Sequence, residues 1–469
     1  MKRAGISVLC IHATTSMHRL FPLLFLVALS CHHEAEPTEH NNGENDSIRF
    51  QYGTPFGNMP ATEDIIMYEI NLRAFSATGD LQGVINRLDA LDSLGINVIW
   101  LMPIHPTGEI KSVHSPYSVK DYKTVSPEYG TLQDLRTLTD GAHSMDMAVI
   151  MDWVANHTAW DNPWIQNKSW YSQDESGNII HPPGTNWEDV ADLDYSNAEM
   201  RLSMIDAMKY WVVEANVDGF RCDYADGVPY DFWKQAFDSL NAVPERDYVF
   251  LAEGGREDHF DAGFDLNYAW DFYGTLKAVF NGQSAGTLYA THKSEYSKVP
   301  EGRHKLRFTT NHDESAWDRT PMVLFNGEEG ALAASVVTIF LGGVPLLYTG
   351  QEVGTVNNIP FFSNAPIDWN NNPDMLREYR EIMRCYSESE AAKQVGITYS
   401  INQNVACFKK TTESGSLLVM VNTRNNPVEF FLPGDLQHSQ WTDAISSQPV
   451  LLESSVRLDN YQYMILEQE

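Results

Sequence analysis

Short runs of apolar and β-branched residues alternate with helical stretches over most of the chain. Eight such runs occur between residues 62 and 390: DIIMYEI, INVIWLM, MAVIMDWV, VDGFRCDY, YVFLAE, GFDLNYAW, KLRFTTN and VPLLYTG. Most are followed by a segment whose apolar positions repeat at helical spacing. Continuous apolar strands joined by helices are typical of a parallel sheet covered on both faces. Eight such units predict an α/β fold, a (β/α)8 TIM barrel over residues 62–390, with a doubly wound open sheet as the structural alternative.

The pattern changes after about residue 390. The segments GITYSINQNVACFKKTT, SLLVMVNTR and VEFFLP alternate apolar and polar positions, and Asn, Gly, Pro and Ser separate them. Short alternating strands with such turns predict a C-terminal all-β sandwich domain over residues 391–469.

The amino-terminal segment is predicted to be a secretion signal. His18 and Arg19 precede the apolar run LFPLLFLVALS, which is too short to span a bilayer as a stable helix. Cys31 directly follows ALS, and this arrangement resembles the lipobox of bacterial lipoproteins, whose cysteine is lipidated. We therefore expect a lipoprotein-type signal peptide over residues 1–30 and a lipid anchor at Cys31. An ordinary signal peptide cut nearby is the alternative.

The segment after Cys31 is polar, charged and nearly free of apolar residues, so residues 31–61 are predicted to be a flexible tether. Together these features predict an exported protein that is lipid-anchored at the bacterial cell envelope, on the periplasmic side or at the outer-membrane surface.

The charge balance excludes one class of partner. The chain has 32 Lys and Arg against 63 Asp and Glu, a net charge of −31, and such a surface repels phosphate backbones. We therefore expect no nucleic-acid binding, whereas a neutral substrate such as a sugar meets no such penalty. The scatter of the five cysteines predicts no disulfide framework.

Polar side chains follow four of the predicted strands, where the catalytic groups of a barrel cluster. The third strand supplies Asp152, Asn156 and His157, the fourth Arg221 and Asp223, the fifth Glu253, and the seventh Asn311, His312 and Asp313. Four strands therefore deliver polar groups to one rim.

The alternation of side chains along a strand assigns the residues of VDGFRCDYAD to two faces. In an extended strand Phe220, Cys222 and Tyr224 share one face, and Phe220 and Cys222 suit the face under the helices. Arg221 and Asp223 then point into the barrel, where they are close enough to pair.

Two further carboxylates of this stretch lie outside the strand. Asp218 is predicted to be a turn residue at its entry, and Asp226 a loop or capping residue beyond its end. Asp223 is therefore the catalytic candidate. Taken alone, its pair with Arg221 is equally consistent with a structural ion pair.

Glu253 and Asp313 favour the catalytic interpretation of Asp223 over the structural one. Carboxylates that lie close together raise one another's cost of ionisation, so such a cluster indicates a catalytic or metal-binding role. Glycoside cleavage needs one ionised and one protonated carboxyl. Arg221 is expected to lower the pKa of Asp223, whereas Glu253 has no cation adjacent in sequence. A retaining enzyme holds two such groups about 5–5.5 Å apart, a separation that neighbouring strands supply. The residues thus indicate a hydrolase of neutral sugar bonds.

The segments DWVANH, DGFRCD, AEGG and TTNHDE occur in the order and at the strand ends of the four signature regions of the α-amylase family. Over roughly residues 62–469 the chain resembles that family of retaining α-glucan hydrolases and transglycosylases. The resemblance implies that Asp223 is the nucleophile, Glu253 the acid/base, and Asp313 the third carboxylate, which holds sugar hydroxyls.

The resemblance also implies substrate-binding residues. Arg221 would orient Asp223, His157 and His312 would bind hydroxyls of the sugar being cleaved, and Tyr117 in SPYSVKDYKTVSPEYGT would stack on that sugar. Without the motifs, each histidine would be better interpreted as a hydrogen-bonded core residue. Gln351 and Glu352 in LLYTGQE match scaffold positions.

Several features depart from the family pattern. The excursion at about residues 157–192, which corresponds to the family's domain B, is short and offers few partners for Asn156, a calcium ligand in many members. Structural calcium is therefore doubtful, no metal-ligand spacing indicates zinc, and the chemistry requires no cofactor. Asp226 stands where relatives often have a cation, and EGG lacks the aromatic residue often found there, which suggests an open acceptor site.

These observations predict a retaining α-glycosidase that hydrolyses α-1,4-glucosidic bonds of starch-derived glucans or maltooligosaccharides by double displacement through a covalent glycosyl-enzyme. The alternatives are a transglycosylase or an α-glucosidase- or cyclomaltodextrinase-like member of the same family, and a non-catalytic glucan-binding lipoprotein. Endo or exo action and the oligomeric state do not follow from the sequence.

Overall fold

A computed structural model describes residues 51–468. The predicted signal peptide, Cys31 and most of the predicted tether lie outside the described residues. Ten strands occur up to residue 348: β1 (Met67–Ile70), β2 (Val98–Leu101), β3 (Ala148–Val154), β4 (His157–Ala159), β5 (Val190–Asp192), β6 (Gly219–Asp223), β7 (Val249–Ala252), β8 (Leu266–Tyr268), β9 (His304–Arg307) and β10 (Val344–Tyr348).

Eight of these strands close into a parallel barrel in the order β1-β10-β9-β8-β7-β6-β3-β2. Each contains residues of one of the eight apolar runs, so the predicted barrel is confirmed. The strands read as continuous apolar runs because both of their faces are buried. Inward side chains such as Trp100, Ile150 and Leu251 form one apolar layer, and outward side chains pack under the helices in a second.

The helices alternate with the barrel strands: α1 (Leu72–Phe75), α2 (Leu81–Ile85), α3 (Leu88–Asp92), α4 (Leu132–His143), α5 (Ala198–Ala215), α6 (Tyr230–Asn241), α7 (Asp258–Ala262), α8 (Trp270–Phe280), α9 (Gly286–Tyr296), α10 (His312–Trp317), α11 (Pro321–Leu324), α12 (Glu328–Phe340), α13 (Pro373–Glu388) and α14 (Glu390–Lys393). Single turns of 3₁₀ helix occupy Thr62–Asp64, Pro163–Gln166, Lys168–Trp170, Ala225–Gly227 and Gln351–Val353.

The excursion after β3 contains β4 and β5, which pair antiparallel and place His157 opposite Asp192. Trp164 packs against Trp170 and Tyr122 as a small aromatic core. The excursion therefore stands on the rim of the barrel beside the end of β3.

Eight strands follow the barrel: β11 (Thr398–Ser400), β12 (Val405–Thr411), β13 (Ser416–Asn422), β14 (Val428–Phe431), β15 (Ser439–Asp443), β16 (Pro449–Leu452), β17 (Ser455–Leu458) and β18 (Tyr463–Gln468). Six form an antiparallel sheet in the order β11-β12-β13-β18-β15-β16, and β14 pairs with β17. Side chains of both sheets share one apolar core, so the predicted C-terminal all-β domain is confirmed.

Two cations tie the C-terminal domain to helical segments that precede it. Arg424 donates hydrogen bonds to the carbonyls of Val279 and Gln283, and Lys410 donates from Nζ to the carbonyl of Ala392 at 2.6 Å. The barrel and this domain accordingly form one compact unit.

Two further features describe residues 51–468. No helix in this part of the chain is long and apolar enough to cross a bilayer. Cys222, Cys385 and Cys407 are all buried and unpaired there.

Candidate active site

A cavity of about 550 Å³ opens at the carboxyl ends of the barrel strands. It is lined by side chains from the barrel rim and from the excursion after β3: Val113, Ser115, Tyr117, His157, Asn186, Trp187, Asp189, Val190, Asp223, Tyr224, Glu253, His312, Asp313, Trp317, Phe361 and Phe362. Six of the seven site residues predicted from the sequence line this cavity, and the seventh, Arg221, lies directly beneath it.

Arg221 is the fully buried centre of the site. Its Nη1 atom lies 2.8 Å from Asp152 Oδ1 and 3.0 Å from Asp223 Oδ1, and its Nη2 atom lies 3.0 Å from Glu253 Oε2. The Nη2 contact is an ion pair without hydrogen-bond alignment. The register of β3 against β6 places Asp152 directly opposite Arg221, so the guanidinium is held from below.

Glu253 follows β7 and is bound to the neighbouring strand end. The backbone N–H of Tyr224 donates to Glu253 Oε2 at 2.7 Å, and the N–H of Ala225 donates to the Glu253 carbonyl at 2.9 Å. No cation is adjacent to Glu253 in sequence, but Arg221 reaches it from the neighbouring strand, a contact that the local sequence does not show. Arg221 therefore touches both predicted reacting carboxyls.

The balance of charge around Arg221 is negative, because one cation faces three carboxyl groups. Burial raises the pKa of Asp223 well above its ordinary value, and the charge of Glu253 adds to this rise, whereas Arg221 lowers the pKa. Burial likewise raises the pKa of Asp152 against the opposing effect of Arg221. Arg221 thus acts on Asp223 in the expected direction, but in the substrate-free site burial outweighs it.

His312 connects the third carboxylate to the barrel interior. Burial lowers its pKa, but Asp313 and Glu69 outweigh that effect and raise the pKa to about 9. The protonated ring donates from Nδ1 to Glu69 Oε1, and its Nε2 lies 2.8 Å from the Tyr117 hydroxyl and 3.6 Å from Asp313 Oδ2. The Tyr117 hydroxyl then donates to Asp152 Oδ2 at 3.0 Å.

This network joins the two halves of the site, because Asp152 also binds Arg221. Glu69 was not identified from the sequence, although a lone carboxylate inside the apolar run DIIMYEI was a signal. The Tyr117 ring stacks on the ring of His312, with centroids 5.4 Å apart. Tyr117 and His312 therefore position each other.

His157 is a neutral imidazole in this environment, because burial lowers its pKa to about 4. The Asn156 side-chain amide lies 3.3 Å from His157 Nδ1, and the ring meets that of Trp187 edge to face. His157 can therefore offer one uncharged ring nitrogen to a polar group in the cavity.

Tyr224 departs from the alternation of β6. Its backbone has a positive φ of 42°, and 36% of the residue is exposed at the cavity. Its ring meets that of Trp187 at 5.0 Å, so the two aromatic side chains form one wall. Its predicted place on the face shared with Phe220 and Cys222 was wrong, because the strand ends at Asp223 and the chain turns there.

The two outlying carboxylates have structural contacts. Asp218 is buried, accepts a hydrogen bond from the N–H of Val149 at 2.8 Å, and contacts His143 Nε2 at 2.7 Å. Asp226 accepts hydrogen bonds from the N–H groups of Gly255 and Arg256. Asp218 therefore joins β6 to β3, and Asp226 joins the loops that follow β6 and β7.

The opposite wall of the cavity consists of Trp317 on α10 and of Phe361 and Phe362 in the loop after β10. None of these three residues was predicted from the sequence, because they follow the seventh and eighth strands outside the polar motifs. The SAW end of α10 and the FF pair at 361–362 were their only signals.

Asn156, the calcium ligand that the resemblance suggests, is engaged with protein. Its amide contacts His157, and its Oδ1 lies beside Gly227. Within residues 51–468 no group of three or more His, Cys, Asp or Glu side chains is arranged to hold a metal ion.

The family model for the alpha amylase catalytic domain matches residues 37–183 and 185–395, which is most of the chain. The chain belongs to the alpha-amylase family. It is accordingly a glycoside hydrolase.

Two curated relatives place this family member among enzymes of different specificity. It is 27% identical over 417 residues to the alpha-amylase MalA of Haloarcula japonica, covering 82% of this chain and 59% of MalA. It is 26% identical over 434 residues to a cyclomaltodextrinase of Thermoanaerobacter pseudethanolicus, covering 84% of this chain and 70% of the relative. This alpha-amylase-family chain therefore spans less than two thirds of the length of MalA.

The crystal structure of an alpha-amylase from Lactobacillus plantarum superposes on this family member with a TM-score of 0.79 and 25% identity, covering 87% of this chain and 100% of that one. The agreement extends over the barrel and the C-terminal domain.

Proposed function

We propose that the protein is a retaining α-glycosidase that hydrolyses α-1,4-glucosidic bonds of maltooligosaccharides or starch-derived glucans. The observation that carries the proposal is the contact of Arg221 with both Asp223 and Glu253 at the floor of the cavity. One fixed cation contacts two carboxyls of neighbouring strands, and double displacement uses such a pair of carboxyls.

In the first step Asp223 attacks the anomeric carbon and forms a covalent ester with the sugar. The bond from that carbon to the glycosidic oxygen breaks, and the proton of Glu253 passes to the departing oxygen. In the second step ionised Glu253 takes a proton from water, the water oxygen bonds to the anomeric carbon, and Asp223 leaves. The sugar keeps its α configuration.

The supporting residues follow from their contacts. Arg221 lowers the pKa of Asp223 and so favours its carboxylate form. In this proposal Asp313, His312 and His157 bind the hydroxyls of the sugar under attack. Tyr117 supplies an apolar face whose position its contacts to His312 and Asp152 fix. No metal or cofactor takes part in either step.

The test uses Asp223→Asn and Glu253→Gln with maltoheptaose as substrate. Each variant is expected to lose at least about 10³-fold in kcat, because each removes a group that acts only in the transition state. Circular dichroism and thermal unfolding serve as folding controls. Proton NMR of the first products should give α anomers, and β anomers or near-normal activity in either folded variant would refute the proposal.

A second candidate is a cyclomaltodextrinase- or transglycosylase-like activity of the same site, which the similarity to a cyclomaltodextrinase favours. Cyclodextrins, starch and pullulan assayed side by side distinguish these activities. Faster turnover of cyclodextrins than of starch would select the cyclomaltodextrinase-like activity, and products longer than the substrate would select transfer.

We also propose that the protein is exported and lipid-anchored through Cys31, on the evidence of the amino-terminal sequence. Cys31→Ser should move the protein from the membrane fraction to the soluble fraction of cells. Continued membrane association of this variant would favour an attachment other than the lipid.

A further inference from the structure

An unbroken series of aromatic contacts leads from the catalytic residues to the surface. Tyr117 stacks on Phe361 with centroids 5.5 Å apart and an interplanar angle of 23°. Phe361 contacts Trp317 at 5.7 Å and Phe362 at 5.1 Å. The outer end of this series is open, because 65% of Trp317 and 37% of Phe362 are exposed.

The exposure of Trp317 needs an explanation. A tryptophan side chain gains from leaving water, and contiguous exposed apolar surface beside a cavity is typical of a binding site. Trp317 is also held against two phenylalanines at the edge of the catalytic cavity. It lies four residues after Asp313 on α10, so both side chains line the same cavity.

The contacts of Glu253 define the direction of the substrate in the cavity. In the proposed mechanism Glu253 protonates the departing oxygen, so the leaving sugar lies on the side of Glu253. Tyr224 binds Glu253 through its backbone N–H, and its ring packs against Trp187 on that side. The wall made by Trp317, Phe361 and Phe362 stands after β9 and β10, across the barrel from the Tyr224 wall. It therefore lies on the side of the sugar that becomes attached to Asp223.

We propose that Trp317 and Phe362, supported by Phe361, form a binding platform for sugar rings that precede the ring under attack. This inference rests on the proposed glycosidase function and names its substrate class. The preferred substrate is a linear α-glucan with two or more sugar units on the non-reducing side of the scissile bond. A neutral sugar suits the platform, because the apolar face of a pyranose ring packs on an aromatic face without bringing charge to an acidic protein.

The test compares Trp317→Ala with the parent on 4-nitrophenyl α-glucoside and 4-nitrophenyl α-maltotrioside. Only the maltotrioside has sugar units that reach the platform. The loss of kcat/KM on the maltotrioside is expected to exceed the loss on the glucoside by about tenfold, and Trp317→Phe should recover part of it. Val356→Ala is the matched control, because Val356 is exposed nearby but does not line the cavity.

A binding measurement makes the result independent of turnover. In an Asp223→Asn background, titration calorimetry with maltotetraose should give a Kd about tenfold weaker when Trp317→Ala is added. Equal losses on both chromogenic substrates, or an unchanged maltotetraose Kd, would overturn the platform. A parent that cleaves neither substrate would instead refute the glycosidase proposal, and the maltotetraose titration would still decide the inference.

Discussion

Two cations, Arg221 and protonated His312, stand among five carboxyl groups at the base of the cavity. Asp152 and Glu69 lie beneath the site and contact Arg221 and His312, respectively. Asp223, Glu253 and Asp313 face the cavity. Asp152 and Glu69 fix the two cations, and the cations fix the carboxyls that face the cavity. Removing a buried partner should therefore damage the site without touching substrate.

The His312–Glu69 pair gives a pH-dependent contribution to stability. The folded-state pKa of His312 is about 9, above the value near 6.5 of an unfolded histidine. The contribution is therefore fully present below about pH 6.5 and is lost as the pH rises through about 9. His312→Gln should destabilise the protein by about 3 kcal/mol at pH 6 and by much less at pH 10.

Denaturant unfolding at the two pH values measures this difference. His438→Gln is the control, because His438 is largely exposed and faces Glu453 at the surface. A destabilisation by His312→Gln that does not change between pH 6 and pH 10 would contradict the charged pair.

At the same scale, the sequence predicted the inward pair Arg221–Asp223 because strand alternation is a local property. It did not predict Glu69 or the Arg221–Glu253 contact, since both depend on which strands become neighbours when the barrel closes. The direction of the pKa shift of Asp223 was missed for a related reason. Burial by the whole cavity outweighs one adjacent cation.

Among the elements, the loops after β6 and β7 are held together by a small set of contacts. Asp226 accepts two backbone hydrogen bonds from the β7 loop, and Arg256 Nη1 donates back to the carbonyls of Asp226 and Val228. Gly254 permits this approach, because its φ is +157° and a Cβ there would lie 2.4 Å from Asp226 Oδ1. These contacts tie together the two loops, one of which directly follows Asp223 while the other contains Glu253.

Asp226→Ala should lower kcat/KM about 10- to 100-fold through displacement of Glu253. Asp226→Asn keeps one acceptor oxygen and should recover part of the activity. Asp231→Ala, an exposed carboxylate at the start of α6, is the control. A rise in KM alone, with an unchanged kcat and pH profile, would assign Asp226 to substrate binding instead.

Helix prediction succeeded where the buried face is apolar. The segment AEMRLSMIDAMKYWVVEA became α5, and EEGALAASVVTIF became α12. Helix α9 was missed because its buried face includes His292 and Glu295, so its sequence shows no apolar periodicity. The apolar positions of residues 80–95 repeat at helical spacing, but this segment forms two short helices, α2 and α3, because the chain leaves helical geometry at Arg87.

At the scale of the molecule, a buried lysine lies where the C-terminal domain meets the preceding helices. Lys410 is 1% exposed, its Nζ binds the carbonyl of Ala392, and burial together with Arg307 lowers its pKa well below the ordinary value. At neutral pH the amine of Lys410 therefore binds a proton more strongly in the unfolded chain than in the folded protein. Stability should rise with pH toward the unfolded pKa of about 10.4.

Lys410→Met removes the free-energy cost of burying the amine and should raise the thermal unfolding midpoint by about 2 °C at pH 7. The gain should shrink or reverse near pH 10, where the lost hydrogen bond dominates. Lys409→Met, at the neighbouring half-exposed position, is the matched control. A midpoint that falls at pH 7 would mean that Lys410 stabilises the interface as a cation.

The hydrogen bond from Tyr224 to Glu253 has a consequence for the fate of the covalent intermediate. Oε2 of Glu253 is occupied by Tyr224 and Arg221, so Oε1 must deliver the first proton and later accept the second. If water gives its proton to Oε1, the glycosyl-enzyme is hydrolysed, and if a sugar hydroxyl does so, the glycosyl group is transferred. A sugar hydroxyl held by Tyr224 and Trp187 competes with water at this atom. The ratio of hydrolysis to chain transfer is therefore expected to depend on saccharide concentration, as a partition at one atom.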